Sequence, residues 1–156
     1  MHEPLVDTSL TDTIISISNE FKRIREDVEL TLELGAAEAR VLADGYINVL
    51  LLNLLENAVI HNPNRRKRVW VKLNSVVDGF EVRIADNGLG LSDKQKIEIL
   101  DPSRRFGGIG VHQARNIVNK YGGHLFVVDR VRDEPTKGAE FRIFFPRRER
   151  DDRPFL

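Results

Sequence analysis

The run INVLLLNLLENAVI, residues 47–60, constrains this chain more than any other stretch. Set at ~100° per residue, it places Ile47, Leu50, Leu51, Leu54 and Ala58 in one apolar stripe. Val49, Leu52 and Val59 point in other directions. A helix apolar on more than one side must be covered on more than one side, so it belongs at the centre of a packed domain. Yet Asn53, Asn57 and Ile60 stack along one edge of the stripe, with His61 nearby. A buried amide left unpaired costs on the order of 1–3 kcal/mol, so this polar strip needs a partner. Neighbouring backbone groups, water, or a ligand carrying a metal would each serve. Two amide oxygens one turn apart can reach a single hard cation such as Mg²⁺, which takes oxygen ligands and keeps several waters.

The chain has 156 residues, 41% of them hydrophobic and 31% charged, which suits one globular domain with a sizeable core. Lys plus Arg and Asp plus Glu balance at 24 each, so net charge points to neither nucleic acid nor acidic membranes. The basic run RRKR, residues 65–68, lacks interleaved aromatics and reads as a solvated turn. Cysteine is absent, which excludes a disulfide framework and thiolate metal sites. The opening MHEPLVDTSL has neither a basic leader nor an apolar signal core, and no run is long enough to span a bilayer. The expectation is a soluble, cytoplasmic chain that binds neither membrane nor nucleic acid, although the parent protein could be membrane-anchored.

Local signals divide the chain into alternating elements. Ser9 with Asp12 opens a helix whose Ile14, Ile17 and Phe21 recur at helical spacing. VELTLEL (28–34) alternates and predicts a half-buried strand, and RVLAD predicts a short strand ending at Asp44. VWVKLNSV and FEVRIAD, split by Asp78-Gly79, predict a hairpin. Ser92 with Gln95 caps a short helix. VHQARNIVNKYGG predicts a helix closed by Gly122-Gly123. HLFVVDRV and AEFRIFFP are the last strands, joined by a loop RDEPTKG. Two hairpins argue against an all-parallel sheet. The expected fold is an α/β two-layer sandwich with a mixed, largely antiparallel sheet and helices on one face. Residues 1–147 form the domain, and 148–156 a mobile charged tail.

Two glycine segments sit beside these elements. In ADNGLGLSD, Gly88 and Gly90 allow close backbone approach, and Asp86 ends a strand where a carboxylate could accept from a ligand amine. An ordinary Asp-Asn-Gly turn would look the same. RRFGGIGV feeds a helix, leaving free N–H groups and the positive end of its dipole for an anion, with Arg104 and Arg105 adding charge. A plain loop with solvated arginines would also fit. No Gly-Lys-Ser/Thr follows, so this is not a Walker A loop.

The three motifs in this order, NLLENA, DNGLG and GIG, followed by IVNKYGG and GAEFRIFFP, resemble the ATP-binding catalytic domain of sensor histidine kinases. That family shares the Bergerat ATP-binding fold with gyrase, MutL and related chaperone ATPases. The resemblance spans roughly residues 5 to 146. It implies that Asn57 coordinates a Mg²⁺ bridging the ATP phosphates, with Asn53 facing the same cluster. It implies that Asp86 receives the adenine amino group, aided by Gly88 and the Gly90 region. It places Gly108, Ile109, Gly110 and Val111 at the phosphates, beneath a mobile lid.

The chain departs from the family pattern in three places. A phosphate-contacting lysine is replaced by Ile60, leaving His61, Arg104 or Arg105 to supply charge. The lid, KQKIEILDPSRRFG, is short. Gly138-Ala139 stands where Gly-Thr is frequent. Asn53 also stands where gyrase-type ATPases carry a glutamate general base, and Glu56 points ~100° away from Asn57. The resemblance therefore implies phosphoryl transfer rather than hydrolysis, with Asn53, Asn57, His61 and Arg105 as catalytic groups. The acceptor would be a histidine on a separate dimerisation domain, and a response regulator would act downstream. A serine-kinase anti-sigma factor of the same fold, or a degenerate nucleotide-binding docking module, are the alternatives.

Overall fold

A computed structural model describes residues 3–101, 103 and 109–147. The elements are β1 (Val6–Ser9), α1 (Leu10–Ile24), β2 (Val28–Leu34), β3 (Arg40–Ala43), α2 (Tyr46–Ile60), β4 (Lys67–Val76), β5 (Gly79–Asp86), α3 (Asp93–Ile99), α4 (Ile109–Lys120), β6 (His124–Val131) and β7 (Glu134–Pro146). Five strands form one sheet in the order β2-β4-β5-β7-β6, and β1 pairs with β3 in a separate two-stranded ribbon. Only β2 and β4 run parallel within the larger sheet. The expected mixed, largely antiparallel α/β sandwich is what forms.

Alternation explains the sheet's two faces. Val69, Val71 and Leu73 of β4, Val82 and Ile84 of β5, and Phe141, Ile143 and Phe145 of β7 are all buried against the helices. The intervening residues carry charge: Glu81, Arg83, Glu140 and Arg142 are ion-paired on the other face. A one-residue slip would exchange those faces, so register is strongly specified. The helix α2 lies over this sheet with Leu50, Leu51, Leu54 and Leu55 at most 2% exposed. Each such leucine contributes ~1.5–3 kcal/mol relative to exposure. Val59 is equally buried and Leu52 half-buried, so α2 is covered on more than one side, but Val49 on its remaining surface is exposed.

The caps read from sequence form as expected. Ser9 Oγ accepts from Asp12 N, and Ser92 with Gln95 makes a reciprocal capping box. Gly122 sits at φ 74° past the end of α4, and Gly123 N donates to Val118 O at 3.0 Å. Two expectations need correction. β1 was not foreseen: four residues whose partners lie 31 to 37 positions further along leave little local pattern to read. The segment RDEPTKG is not a loop. Strand β7 begins at Glu134, and only Arg132 and Asp133 turn, with Asp133 at φ 63°. The long β6–β7 hairpin breaks register between Asp129 and Val131, which blurs its alternation. The tail 148–156 lies outside the described residues.

One buried polar cluster joins the helical layer to the ribbon. The Asp44 side chain is 1% exposed and pairs with Lys120 Nζ at 2.5 Å. Tyr121 also donates its hydroxyl to Asp44. Burial pushes the Asp44 pKa up, but the Lys120 and Tyr121 hydrogen bonds outweigh it and hold the carboxyl below its ordinary value. The Tyr121 phenol is pushed up by burial and by the same bond. A carboxyl with a depressed folded-state pKa stabilises the fold above its unfolded pKa, and that contribution is lost as pH falls through the folded one. Stability should therefore drop on acidification below the ordinary aspartate range, and Asp44→Ala should flatten that drop. At neutral pH the same variant should lose about 2 kcal/mol, or roughly 4–8 °C in melting temperature, measured by calorimetric scans at several pH values.

Candidate nucleotide-binding site

Between the C-terminal half of α2 and the loop after β5 lies a cavity of ≈ 270 Å³. Asn57, Ala58 and His61 form one part of its lining, Asp86, Gly88, Leu89 and Gly90 another, and Ala139 and Phe141 a third. The apolar lining with a few polar groups is what a flat heteroaromatic ligand needs.

Asp86 is the charged group at this cavity, only 7% exposed at the end of β5. Its Oδ1 accepts from Gly88 N at 2.9 Å and from Ala139 N at 3.3 Å. Both bonds go to one oxygen, which leaves Oδ2 to accept from a ligand. Burial raises the Asp86 pKa above its ordinary value, against the two amide bonds and the field of Arg130. The backbone around it is interlocked. Gly138 at φ 103° passes so close that an added Cβ would lie 1.9 Å from Asp86 O. Gly90 at φ 71° would meet Pro135 O at 1.8 Å. Side chains at either place would push the β6–β7 hairpin away from the cavity wall.

The other sequence-derived residues separate into groups. Asn57 and His61 reach the cavity; Asn53 does not line it. Instead Asn53 Nδ2 donates to Gln113 Oε1 of α4 at 3.2 Å, with Gly110 beside it. Ile60 is 70% exposed, consistent with its place on the polar edge. Val111 is 1% exposed and belongs to the core, so only its backbone N–H in the first turn of α4 is available to an anion. Arg104, Arg105 and Gly108 lie outside the described residues, as does the side chain of Ile109. Asn57 and Asn53 are oxygen donors of the kind Mg²⁺ accepts, and Asn53, with its nitrogen engaged by Gln113, has its oxygen uncommitted. The donor set fits a cation whose charge is balanced mainly by a ligand's phosphates.

Sequence reasoning missed Asn62 and Asn87. Asn62 is 6% exposed, lines the cavity, and donates to Asn87 Oδ1 at 2.8 Å. Asn87 also accepts from Arg68 N and donates to Arg66 O, so it fastens the α2–β4 turn to the glycine loop. Both asparagines sat in segments that read as turns, and nothing in the sequence shows that the two turns meet. Leu91, Gln95 and Ile99, from the capped helix α3 and the turn before it, complete the cavity.

The chain belongs to the family described as histidine kinase-, DNA gyrase B-, and HSP90-like ATPase, matched over residues 46–149. It is 32% identical over 130 residues to the adaptive-response sensory kinase SasA of Synechococcus sp. (strain CC9311), covering 77% of this chain and 33% of SasA. It thus spans about a third of the length of that relative. The mycobacterial sensor histidine kinase MprB superposes with TM-score 0.80 at 24% identity, over 93% of this chain and 100% of that one. Full-length ShkA, solved in complex with AMPPNP, superposes with TM-score 0.77 at 20% identity, over 96% of this chain and 33% of ShkA.

Replacing Asp86 with Asn separates the two roles of that carboxylate. Asn keeps an oxygen for Gly88 N and Ala139 N but turns an amide donor toward the cavity. Because the native carboxyl is held with a raised pKa, its charge opposes folding at neutral pH, and removing it should raise the melting temperature. Binding of a ligand that presents an amine should fall roughly ten- to a hundred-fold. Thermal scans and calorimetric titration with ATP, run on both proteins, check the pair of outcomes.

Proposed function

We propose that this chain binds ATP with Mg²⁺ and delivers the γ-phosphoryl group to a histidine on a separate dimerisation domain, as the catalytic part of a two-component sensor kinase. The observation that carries the reading is Asp86: a buried carboxylate with one oxygen fixed by two amides and the other left for a ligand donor, on the wall of a cavity that Asn57 also lines. Family membership and the AMPPNP complex of ShkA support a nucleotide as that ligand. Adenine presents an amine where guanine presents a carbonyl, so Asp86 selects the former.

Each residue has a distinct task. Asp86 orients the base, and the apolar wall of Ala58, Leu91, Ile99 and Phe141 excludes water from its faces. Gly110 and the first amides of α4 face the phosphates, where the helix dipole favours negative charge. Asn57 would hold Mg²⁺ with Asn53 beside it, and the ion, when bound, would neutralise charge on the transferring phosphoryl group. His61, exposed at the cavity rim, can meet the phosphates in place of the lysine that Ile60 lacks. Among the described residues, Asp86 is the only carboxylate that lines the cavity, and it is assigned to the base. Asn53 is neutral, and Glu56 is exposed and does not line the cavity. Among the described histidines, His61 ends α2, His112 lies in α4 and His124 opens β6. The phosphoacceptor therefore belongs to the remaining part of a sensor kinase or to a partner chain, with a response regulator acting after it.

Two experiments test this. Asn57→Ala should weaken Mg²⁺-dependent ATP binding roughly ten-fold or more while leaving the circular dichroism spectrum intact; equal affinity would overturn the metal assignment. The native chain should release phosphate very slowly from ATP yet label a histidine-bearing helical partner supplied in trans. General-base catalysis is worth about 10²–10⁴-fold, so Asn53→Glu should raise phosphate release. Brisk hydrolysis by the native chain without transfer would overturn the kinase reading.

A further inference from the structure

A second cleft, of ≈ 400 Å³, lies on the far side of the glycine loop from the nucleotide cavity. Arg65 and Arg66 come to it from the α2–β4 turn, Arg68 and Trp70 from β4, Asn87 from the glycine loop and Arg130 from β6. The sheet order puts β6 three strands away from β4. Arg130 reaches Trp70 because the long β6–β7 hairpin folds across the end of β5, where Gly138 packs against Asp86. The Arg130 guanidinium lies 4.9 Å from the Trp70 ring centroid and is held by the carbonyl of Lys137 at 2.8 Å. Four arginines thus converge on one recess. Among the described residues their ion pairs are to a single carboxylate, Glu29, at 3.6 Å from both Arg66 and Arg68. In a chain whose charges balance overall, this is a concentrated positive excess.

We propose that this cleft docks an acidic segment of a partner protein. Charge complementarity selects an anion, and exposure selects its size. Arg66 and Arg68 side chains are 77% and 44% exposed. Single ion pairs at such positions are weak and screened by salt, so one small anion gains little there. A peptide with several carboxylates engages all four guanidiniums together and covers the Trp70–Arg130 stack. That stack is already ordered, so little freedom is lost when a partner meets it, and tryptophan and arginine are the residue types that anchor protein interfaces. Oligonucleotides would match the charge, but the cleft offers one aromatic ring, and that ring is occupied by Arg130, leaving no free platform for stacked bases.

Trp70 is the only tryptophan in the sequence, so its fluorescence reports on the cleft directly. Titration of the full chain with an oligoglutamate peptide should change that fluorescence saturably, and the affinity should fall as salt rises. The double variant Arg65→Glu/Arg66→Glu should weaken the peptide at least roughly ten-fold while binding ATP as the native chain does. A saturable, salt-sensitive response lost in the variant supports the proposal. No saturable response, equal affinity in the variant, or tighter binding of pyrophosphate or a single-stranded oligonucleotide than of the peptide would overturn it.

Discussion

Everything in this structure depends on covering α2. A fifteen-residue helix with buried leucines on two sides and no acidic or basic residue in either terminal turn cannot sit at a surface. The sheet takes one side of it, and α1 and α4 take its flanks. Along the polar edge that remains, Asn53 and Asn57 are half-buried, and only the end at Ile60 and His61 is open to solvent. The edge opens on a seam with α4, where Asn53 meets Gln113, and on the cavity, where Asn57 and His61 emerge. The helix that organises the core therefore also presents the polar groups of the site, with no loop between them to relax their positions.

The cavity's other wall carries a cost that the fold absorbs locally. A carboxylate 7% exposed at a strand end opposes folding, as its raised pKa shows. Two backbone amides on one oxygen limit that penalty without removing it. They come from Gly88 and Ala139, which are 51 residues apart. The same carboxylate thus fixes the glycine loop against the last hairpin, and Gly90 and Gly138 permit the contact because neither carries a side chain. Local order draws on one oxygen of this group, and the proposed function would draw on the other.

Elements with strong local patterns were legible in the sequence, and so were the residues whose chemistry conflicts with their surroundings. Asn57 announces itself that way on its apolar helix, whereas Asp86, at the end of an alternating strand, stood out only through the order of the motifs; both line the cavity. Ribbon strand β1 and the extended hairpin from Glu134 were not legible, because their partners lie far along the chain and a bulge disturbs the pattern. Asn62 and Asn87 were hidden for a related reason. Each reads as a turn residue alone, and their importance comes from meeting each other. The Trp70–Arg130 stack is more distant still, because it forms only when a hairpin crosses the end of another strand.

The position of Asn53 ties these points to the choice between transfer and hydrolysis. An amide at that place can accept and donate hydrogen bonds, but at neutral pH it cannot take a proton from water. In the structure its nitrogen is committed to Gln113, which leaves the oxygen as its free function. An oxygen donor beside Asn57 suits charge neutralisation on a phosphoryl group; a proton acceptor would suit attack by water. On the proposed reading, Asp86 would hold the base and the amides of α4 would face the phosphates, so these residues would position a nucleotide without supplying a base for its nucleophile. On that reading such a site would require an acceptor that brings its own reactive group, as a histidine on another domain would.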